Sequence, residues 1–226
     1  MKARDVMVRN VFTIGPDDDV ARAAKMLADH DISALPVVDE DRRILGILSE
    51  ADLLRREELG TEKVRRGWLE AVTPSTLLAA DYSRSHGRKV RELMSETVVT
   101  ARGDTPLAEI AALLERKRIK RIPIVEDGKL VGIVSRANLI QALASAAVPA
   151  VSSPGAPTDQ AIRSQILDRL EKQPWTEFGE RNVIVADGVV HLWGLIGSPE
   201  ERKALFALAE SVPGVRRIAD ELIPSY

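Results

Sequence analysis

Hydrophobic positions near the amino terminus predict a short unit of mixed helix and strand. Residues 20–30 carry apolar side chains at helical spacing. Two nearly continuous apolar runs follow, at 34–38 and 44–49, and a polar turn joins them. Apolar runs of this length are typical of strands that are buried on both faces beneath helices. With a β-rich segment at 11–14 before them and a short helix after them, the predicted order is strand, helix, strand, strand, helix.

The same order recurs later in the chain. Residues 2–14 align with residues 89–101, so that Met7 lies opposite Met94, and one residue is lost further on, in the turn between the paired strands. Matches at a nearly fixed spacing indicate an internal duplication. A unit of about 50 residues buries too little surface to be stable alone, so we expect the two repeats to fold against each other.

Two sequence blocks carry a resemblance to a known family. They are ALPVVDEDRRILGILSEADLL at 34–54 and RIPIVEDGKLVGIVSRANLI at 121–140. The first reads apolar-Pro-Val-Val, a turn, and then Gly-apolar-apolar-Ser-x-x-Asp. In this form the blocks resemble a tandem pair of CBS domains, which together make a Bateman module. The resemblance implies an α/β fold of the α+β type, in which two strand-helix-strand-strand-helix repeats pack as a pseudo-two-fold pair.

The carboxyl-terminal part has its own pattern. Residues 159–173 predict an amphipathic helix, and residues 182–196 predict two strands around Asp187-Gly188, a dipeptide typical of a two-residue type I′ hairpin. A second helix begins after Ser198, and a final strand follows it. This order, with the pattern Val-apolar-Val-x-Asp-Gly-Val-Val-x-Leu-x-Gly, resembles a BON domain.

These observations divide the chain into five predicted parts. The segment between the repeats is predicted to be helical, and the segment before the BON domain is a linker rich in Ala, Ser, Pro and Gly. The parts are a first CBS repeat at 1–54, a helical insertion at 55–88, a second CBS repeat at 89–144, a linker at 145–157 and a BON domain at 158–226. Whether the two modules touch is left open by the sequence.

Composition excludes several classes of protein. The chain has 226 residues and no cysteine, which excludes disulfides, thiolate nucleophiles and Cys-ligated zinc. Aromatic residues make up 4% and the net charge is −2, so we expect no nucleic-acid partner. No stretch approaches the roughly 18 apolar residues of a membrane span, and no signal peptide is evident. We predict a cytoplasmic protein, with peripheral association at the inner membrane as an alternative.

The resemblance to CBS pairs implies a ligand and a site. Such pairs bind adenine nucleotides or related adenosyl ligands in clefts between the repeats. Asp52 holds the position of a carboxylate that accepts hydrogen bonds from a ribose diol. Ser49 lies at the strand-to-helix junction, where its hydroxyl and nearby amides can meet a phosphate. Backbone groups at Thr13 and Ile14 would bind adenine, against an apolar wall near Ala34.

The second repeat departs from this pattern. Its candidate ligand-binding residues are Lys120, Arg121, Ser135, Arg136 and Asn138. The resemblance places Lys120 and Arg121 at positions that face phosphate, with Arg136 as a weaker candidate. Asn138 stands where an aspartate is expected, and an amide can bond a hydroxyl but carries no charge. We therefore expect the Asp52 cleft to bind ligand better than the Asn138 cleft, which is weak or empty.

Each candidate also has a purely structural interpretation. A serine followed three residues later by Asp52 is an ordinary helix start. The basic run at 116–121 is typical of a solvated helix end, where cations suit the helix dipole. Trp175, Phe178 and Trp193 are either core residues or interfacial anchors. These alternatives stay open at this point.

Three functions remain to be compared. The first is a non-enzymatic regulatory protein whose CBS pair binds an adenine nucleotide, needs no other cofactor, forms a homodimer, and relays its state through the BON domain. The second is a phospholipid- or envelope-associated adaptor in which the CBS pair only dimerises. Residues 158–226 contain eight basic and eleven acidic side chains, so they offer no basic excess to anionic lipid. The third is an enzyme, for which no nucleophile–base pattern is visible.

Overall fold

A computed structural model describes residues 1–54, 86–146 and 157–225. The helical insertion predicted at 55–88 therefore lies outside the described residues except for its last three positions. The same holds for the predicted linker, of which 147–156 is not described, whereas Ser145 already belongs to a helix. Within the described part, no helix is long and apolar enough to cross a membrane.

Helices and strands are mixed throughout the described residues, which confirms the predicted α+β class. The repeats contain α1 (Ala3–Val6), α2 (Val20–Asp29), β1 (Ala34–Val38), β2 (Ile44–Ser49), α3 (Glu50–Leu53), α4 (Val90–Leu93), α5 (Leu107–Arg116), β3 (Arg121–Glu126), β4 (Lys129–Ser135) and α6 (Arg136–Ala146). The carboxyl-terminal part contains α7 (Asp159–Leu170), β5 (Val183–Ala186), β6 (Val189–Ile196), α8 (Pro199–Glu210) and β7 (Arg217–Pro224).

The chain divides into two compact units. The first-repeat unit consists of Phe12–Val99 and Glu126–Leu130. The second-repeat unit consists of Met1–Val11, Thr100–Val125 and Val131–Tyr226. The opening residues of the chain thus belong to the unit that holds the second repeat and the carboxyl-terminal part, although in sequence they begin the first repeat.

In the first-repeat unit, a two-stranded antiparallel sheet is covered by helices. Strands β1 and β2 pair so that Ala34 lies opposite Ser49. Helix α2 presents Val20 and Leu27 to the core, and α4 adds Leu93, which is 1% exposed. A two-stranded sheet is marginal in water on its own, so the stability of this unit depends on the helices that bury its apolar face.

The second-repeat unit repeats this arrangement with the helix from the start of the chain. Strands β3 and β4 form its two-stranded sheet. Helix α1 contributes Ala3 and Val6 to a core that also holds Ile110 and Ile122. Each sheet is therefore covered partly by the short helix with which the other repeat begins: α4 covers the first sheet and α1 covers the second.

Close packing of these short helices requires glycine in the strands. A Cβ atom on Gly46 would lie 2.6 Å from Sδ of Met94, and one on Gly132 would lie 2.6 Å from Sδ of Met7. Neither glycine has a positive φ, so the requirement is space and not backbone conformation. The equivalence of the two contacts reflects the sequence duplication in three dimensions.

The first strand predicted for each repeat needs a correction. It is an extended segment that pairs through one residue: Ile14 forms a parallel bridge with Val37, and Ala101 makes the corresponding bridge in the second repeat. After Ile14, the next backbone donor of a parallel pair would come from residue 16, which is Pro16 and has no N–H. The ladder therefore stops after one residue, and the N–H of Gly15 bonds the carboxylate of Asp18 at 2.8 Å.

The carboxyl-terminal part has the predicted order of helix, strand, strand, helix, strand. Its sheet has the order β5-β6-β7, antiparallel between β5 and β6 and parallel between β6 and β7. Asp187 and Gly188 have φ values of 51° and 74°, which confirms the type I′ hairpin. Ser198 caps α8 by accepting a 3.1 Å hydrogen bond from the N–H of Glu201, as its position before a proline predicts.

The aromatic side chains of this part have different environments. Phe178 is 9% exposed and belongs to the core, whereas Trp175 is 40% exposed. Trp193 is partly buried. Other members of this core come from both helices and from the sheet, namely Ile162, Ile166, Leu170, Val183, Val185, Val190, Leu192, Ile196, Leu205, Ala209 and Val212.

The glycine contacts give a direct test of the packing. Gly46→Ala and Gly132→Ala should each lower the free energy of unfolding by about 1–3 kcal/mol, because the added methyl group overpacks the contact with a methionine. Gly179→Ala is the control, since nothing lies within 4 Å of the position that its methyl group would take, and it should change stability by less than about 0.5 kcal/mol. Urea denaturation measures all three, and equal effects would contradict the packing described.

Candidate functional site

The first candidate site lies where β2 passes into α3. The Oδ2 atom of Asp52 accepts hydrogen bonds from the backbone N–H of Ser49 at 2.8 Å and from its hydroxyl at 2.7 Å. Asp52 is partly exposed. Among the described residues, no partner is found for its Oδ1 atom. The carboxylate is therefore fixed in orientation by one oxygen while the other can accept bonds from a ligand.

The neighbouring strand brings further candidates to this junction. Ala34 pairs with Ser49 across the sheet. The N–H of Ile14 donates to the carbonyl of Pro36 at 3.1 Å, and its side chain is 3% exposed. Because the Ile14 donor is already used, the partly exposed Thr13 is the better placed of the two for binding adenine through the backbone.

The second candidate site has the same local geometry with an amide in place of the carboxylate. Asn138 accepts, on Oδ1, the N–H of Ser135 at 2.9 Å and its hydroxyl at 2.8 Å. The side chain of Asn138 is more deeply buried than that of Asp52, since the residue is only 6% exposed. Burying an amide costs less than burying an ionised carboxylate, which explains why asparagine suits this position.

Positive charge distinguishes the second site from the first. Lys120, Arg121 and Arg136 all belong to the second repeat, and the backbone N–H of Arg136 bonds the carbonyl of Lys120 at 3.1 Å. The residues at the equivalent positions of the first repeat are Ser33, Ala34 and Glu50. The second repeat therefore carries three cations close in sequence to its junction, at positions where the first repeat has none.

The predicted site residues fall into two groups, one in each unit. The first-repeat unit holds Thr13, Ile14, Ala34, Ser49 and Asp52. The second-repeat unit holds Lys120, Arg121, Ser135, Arg136 and Asn138. Within the described ranges, no group of three His, Asp or Glu side chains could hold a metal ion.

Arg163 on α7 was given no role from the sequence, but in the structure it is only 3% exposed. A signal for it does exist in the sequence. Arg163 follows Ile162 and precedes Ile166 by three positions, so it lies beside the apolar face of that helix. This position places the stem of the side chain against apolar surface, whereas the burial of the guanidinium itself is shown only by the structure.

Comparison with family models identifies both modules. The model described as CBS domain matches residues 3–58 and 90–145. The model described as BON domain matches residues 158–223. Together the two matches extend over most of the chain.

Three similar proteins illustrate the relationship. An uncharacterised protein of Methanocaldococcus jannaschii is 29% identical over 159 residues, which cover 63% of this chain and 91% of that protein. The chloroplastic CBS domain-containing protein CBSX2 of Arabidopsis thaliana is 29% identical over 140 residues, and the match spans only 59% of its length. A crystal structure of CBSX2 in complex with AMP has a TM-score of 0.56 at 29% identity and covers 63% of this chain and 96% of that one.

The junction geometry predicts a stability effect that is independent of any ligand. Ser135→Ala should lower the free energy of unfolding by about 1 kcal/mol, because Asn138 loses the hydroxyl that donates to its buried oxygen. Ser135→Thr retains a hydroxyl and should stay closer to the unsubstituted protein in urea denaturation. A threonine variant as unstable as the alanine variant would show that the hydroxyl is not the stabilising group.

Proposed function

The chain is a CBS-domain protein, a tandem CBS pair followed by a carboxyl-terminal BON domain, and from this premise we propose that it is a regulatory protein that binds an adenine nucleotide. The ligand class comprises AMP, ADP, ATP and S-adenosyl compounds. The CBSX2 structure supports this class, since it holds AMP on a similar fold.

One observation carries the proposal, namely the oriented acceptor at the end of the second strand of each repeat. In the first repeat, Ser49 holds one oxygen of Asp52, and the other is left to accept both hydroxyls of a ribose. Thr13 and Ala34 would then contact the adenine. Ser49 and Asp52 form a capping box at the start of α3, and Asp52 is still partly exposed, so its capping role leaves the second oxygen available to a ligand.

The second repeat is proposed as the weaker site. Asn138 is a neutral acceptor whose Oδ1 already receives two bonds from Ser135. The cations Lys120, Arg121 and Arg136 would bind phosphate oxygens, which charge-assisted hydrogen bonds favour. A phosphate-bearing ligand therefore gains more from this repeat than an adenosyl ligand that lacks phosphate.

The BON domain is proposed to relay the ligand state of the CBS pair to a partner. A phospholipid-binding adaptor has less support, because residues 158–226 have no excess of basic side chains. We also propose that the protein is not an enzyme, since its sequence contains no nucleophile–base pattern. The domain boundaries, the cytoplasmic location and the absence of a nucleic-acid partner stay predictions of the sequence.

A homodimer through the CBS pair is part of the proposal. Helix α6 carries Ile140 and Leu143, which are 66% and 71% exposed and lie one turn apart. Leu143→Lys should shift the protein towards the monomer in analytical ultracentrifugation, because a charged side chain would replace an apolar contact. Arg136→Lys, at the start of the same helix, is the control that keeps its charge. A monomeric unsubstituted protein would contradict the dimer.

Ligand binding can be tested by thermal unfolding with AMP, ADP, ATP, S-adenosylmethionine and GMP. A ligand present at a hundredfold excess over its dissociation constant adds about 2.7 kcal/mol and should raise Tm by about 5–10 °C. The shift should be selective for adenine. Asp52→Ala should reduce it more than Asn138→Ala does, because the carboxylate is the stronger acceptor.

Glu50→Ala is the matched control for the aspartate, since it removes an acidic side chain from the same first turn of α3. It should leave the adenine-dependent shift unchanged. The absence of any shift at millimolar concentration of all five compounds would overturn the proposal. Loss of the shift in Glu50→Ala as well as in Asp52→Ala would mean that general charge, and not the oriented carboxylate, governs binding.

A further inference from the structure

The BON sheet is covered on both faces. One face carries Val183 and Leu192, which belong to the core with α7 and α8. The opposite face carries Ile184 and His191, paired across β5 and β6 and only 2% and 0% exposed. Helices α6 and α1 pack against β5 within the second-repeat unit. The second repeat is thus in direct contact with the BON domain.

Arg163 is the centre of this contact. Its Nε donates to the carbonyl of Val183 at 2.8 Å, and its Nη2 donates to the carbonyl of Glu180 at 2.7 Å and to that of Met7 at 3.3 Å. Burial lowers the pKa of Arg163 to about 10, so the guanidinium remains charged at neutral pH. A BON side chain therefore holds the backbone of the segment that follows α1.

Glu180 binds the same segment through its side chain. Its carboxylate accepts the backbone N–H groups of Arg9 and Asn10, the latter at 2.8 Å. The side chain of Gln141 on α6 donates to the carbonyl of Arg181 at 3.2 Å. Glu180 of the BON domain thus contacts the opening segment, and Arg181 contacts α6, the helix that contains Asn138.

The segment held in this way leads to the candidate ligand residues. Val8 and Ile133 exchange two backbone hydrogen bonds, of 3.0 and 2.9 Å. Ile133 lies two residues before Ser135, which orients Asn138. A shift of residues 7–10 would therefore be passed on through Ile133 to the site residues of the second repeat.

We propose that Arg163 and Glu180 are positioning residues that couple the docking of the BON domain to nucleotide binding by the CBS pair. This inference rests on the proposed function, and it assigns the relay to a specific contact. Nucleotide and BON domain would stabilise the same arrangement of residues 7–10. Coupling of this kind is reciprocal: nucleotide strengthens docking by the same factor by which docking strengthens nucleotide binding, and loss of docking removes that factor from the nucleotide affinity.

Glu180 is the residue to change, because its side chain is partly exposed and its carboxylate accepts only backbone N–H groups. The same carboxylate is the main opposite charge acting on the buried Arg163, so urea denaturation is used to confirm that each variant is folded before binding is measured. In the full chain, Glu180→Ala should weaken the binding of AMP by about five-fold or more in calorimetric titration. Glu180→Gln keeps an acceptor but loses the charge and should lie between the two. Glu177→Ala removes an exposed neighbouring carboxylate and should bind AMP like the unsubstituted protein.

Hydrogen exchange gives the second measurement. In the absence of nucleotide, Glu180→Ala should speed exchange at residues 7–10 and 183–186, whereas Glu177→Ala should not. In the unsubstituted protein, AMP should slow exchange at the same residues. S-adenosylmethionine serves as a second probe in both measurements.

The outcomes separate the two proposals. Equal affinity for AMP in Glu180→Ala and the unsubstituted protein, with no effect of AMP on exchange at 183–186, would overturn the coupling and leave nucleotide binding in place. If neither AMP nor S-adenosylmethionine binds the unsubstituted protein, the proposed function fails and the coupling fails with it. Faster exchange in Glu180→Ala without nucleotide would then still establish the docking contact.

Discussion

The burial of two small sheets is the constraint on which this structure depends. Neither two-stranded sheet can hide its apolar surface without added helices. Each is covered by its own long helix and by the short helix that begins the other repeat. Helix α4 adds Val90 and Leu93 to the core of the first repeat, and α1 adds Ala3 and Val6 to the core of the second. Gly46 and Gly132 are needed because the methionine that ends each short helix packs onto a strand backbone. Each repeat thus completes the core of the other, because the short helix of one repeat packs on the sheet of the other.

The candidate sites follow from the same architecture. A strand that ends at a serine and turns directly into a helix places the third helical residue beside that serine, as Ser49 does with Asp52 and Ser135 with Asn138. In both repeats the bond orients an acceptor at the helix start. The carboxylate is partly exposed and the amide is buried, so the two repeats offer different chemistry from one backbone geometry.

Much of the fold could be predicted from the sequence, because it rests on local signals. Alternating and continuous apolar runs identify the strands, and Asp187-Gly188 and Ser198-Pro199 specify a turn and a helix start by backbone chemistry. The single-residue bridge at Ile14 differs from the predicted strand although the sequence contains its cause, since Pro16 lacks the N–H that would continue the ladder. The burial of Arg163 depends on carbonyl groups far away in the chain, which periodicity does not report. The proposed ligand roles of Asp52 and Asn138 rest on family resemblance, whereas the Ser49–Asp52 bond is the one that the helix-start interpretation predicts.

The central claim is that Asp52 binds the ribose of an adenine nucleotide, and the measurement that tests it most directly is a crystal structure of the full chain grown with AMP. The account predicts AMP in the first repeat, with both ribose hydroxyls within hydrogen-bond distance of the Asp52 carboxylate and the adenine beside Thr13 and Ala34. AMP bound elsewhere, with the Asp52 carboxylate contacting only Ser49, would contradict it.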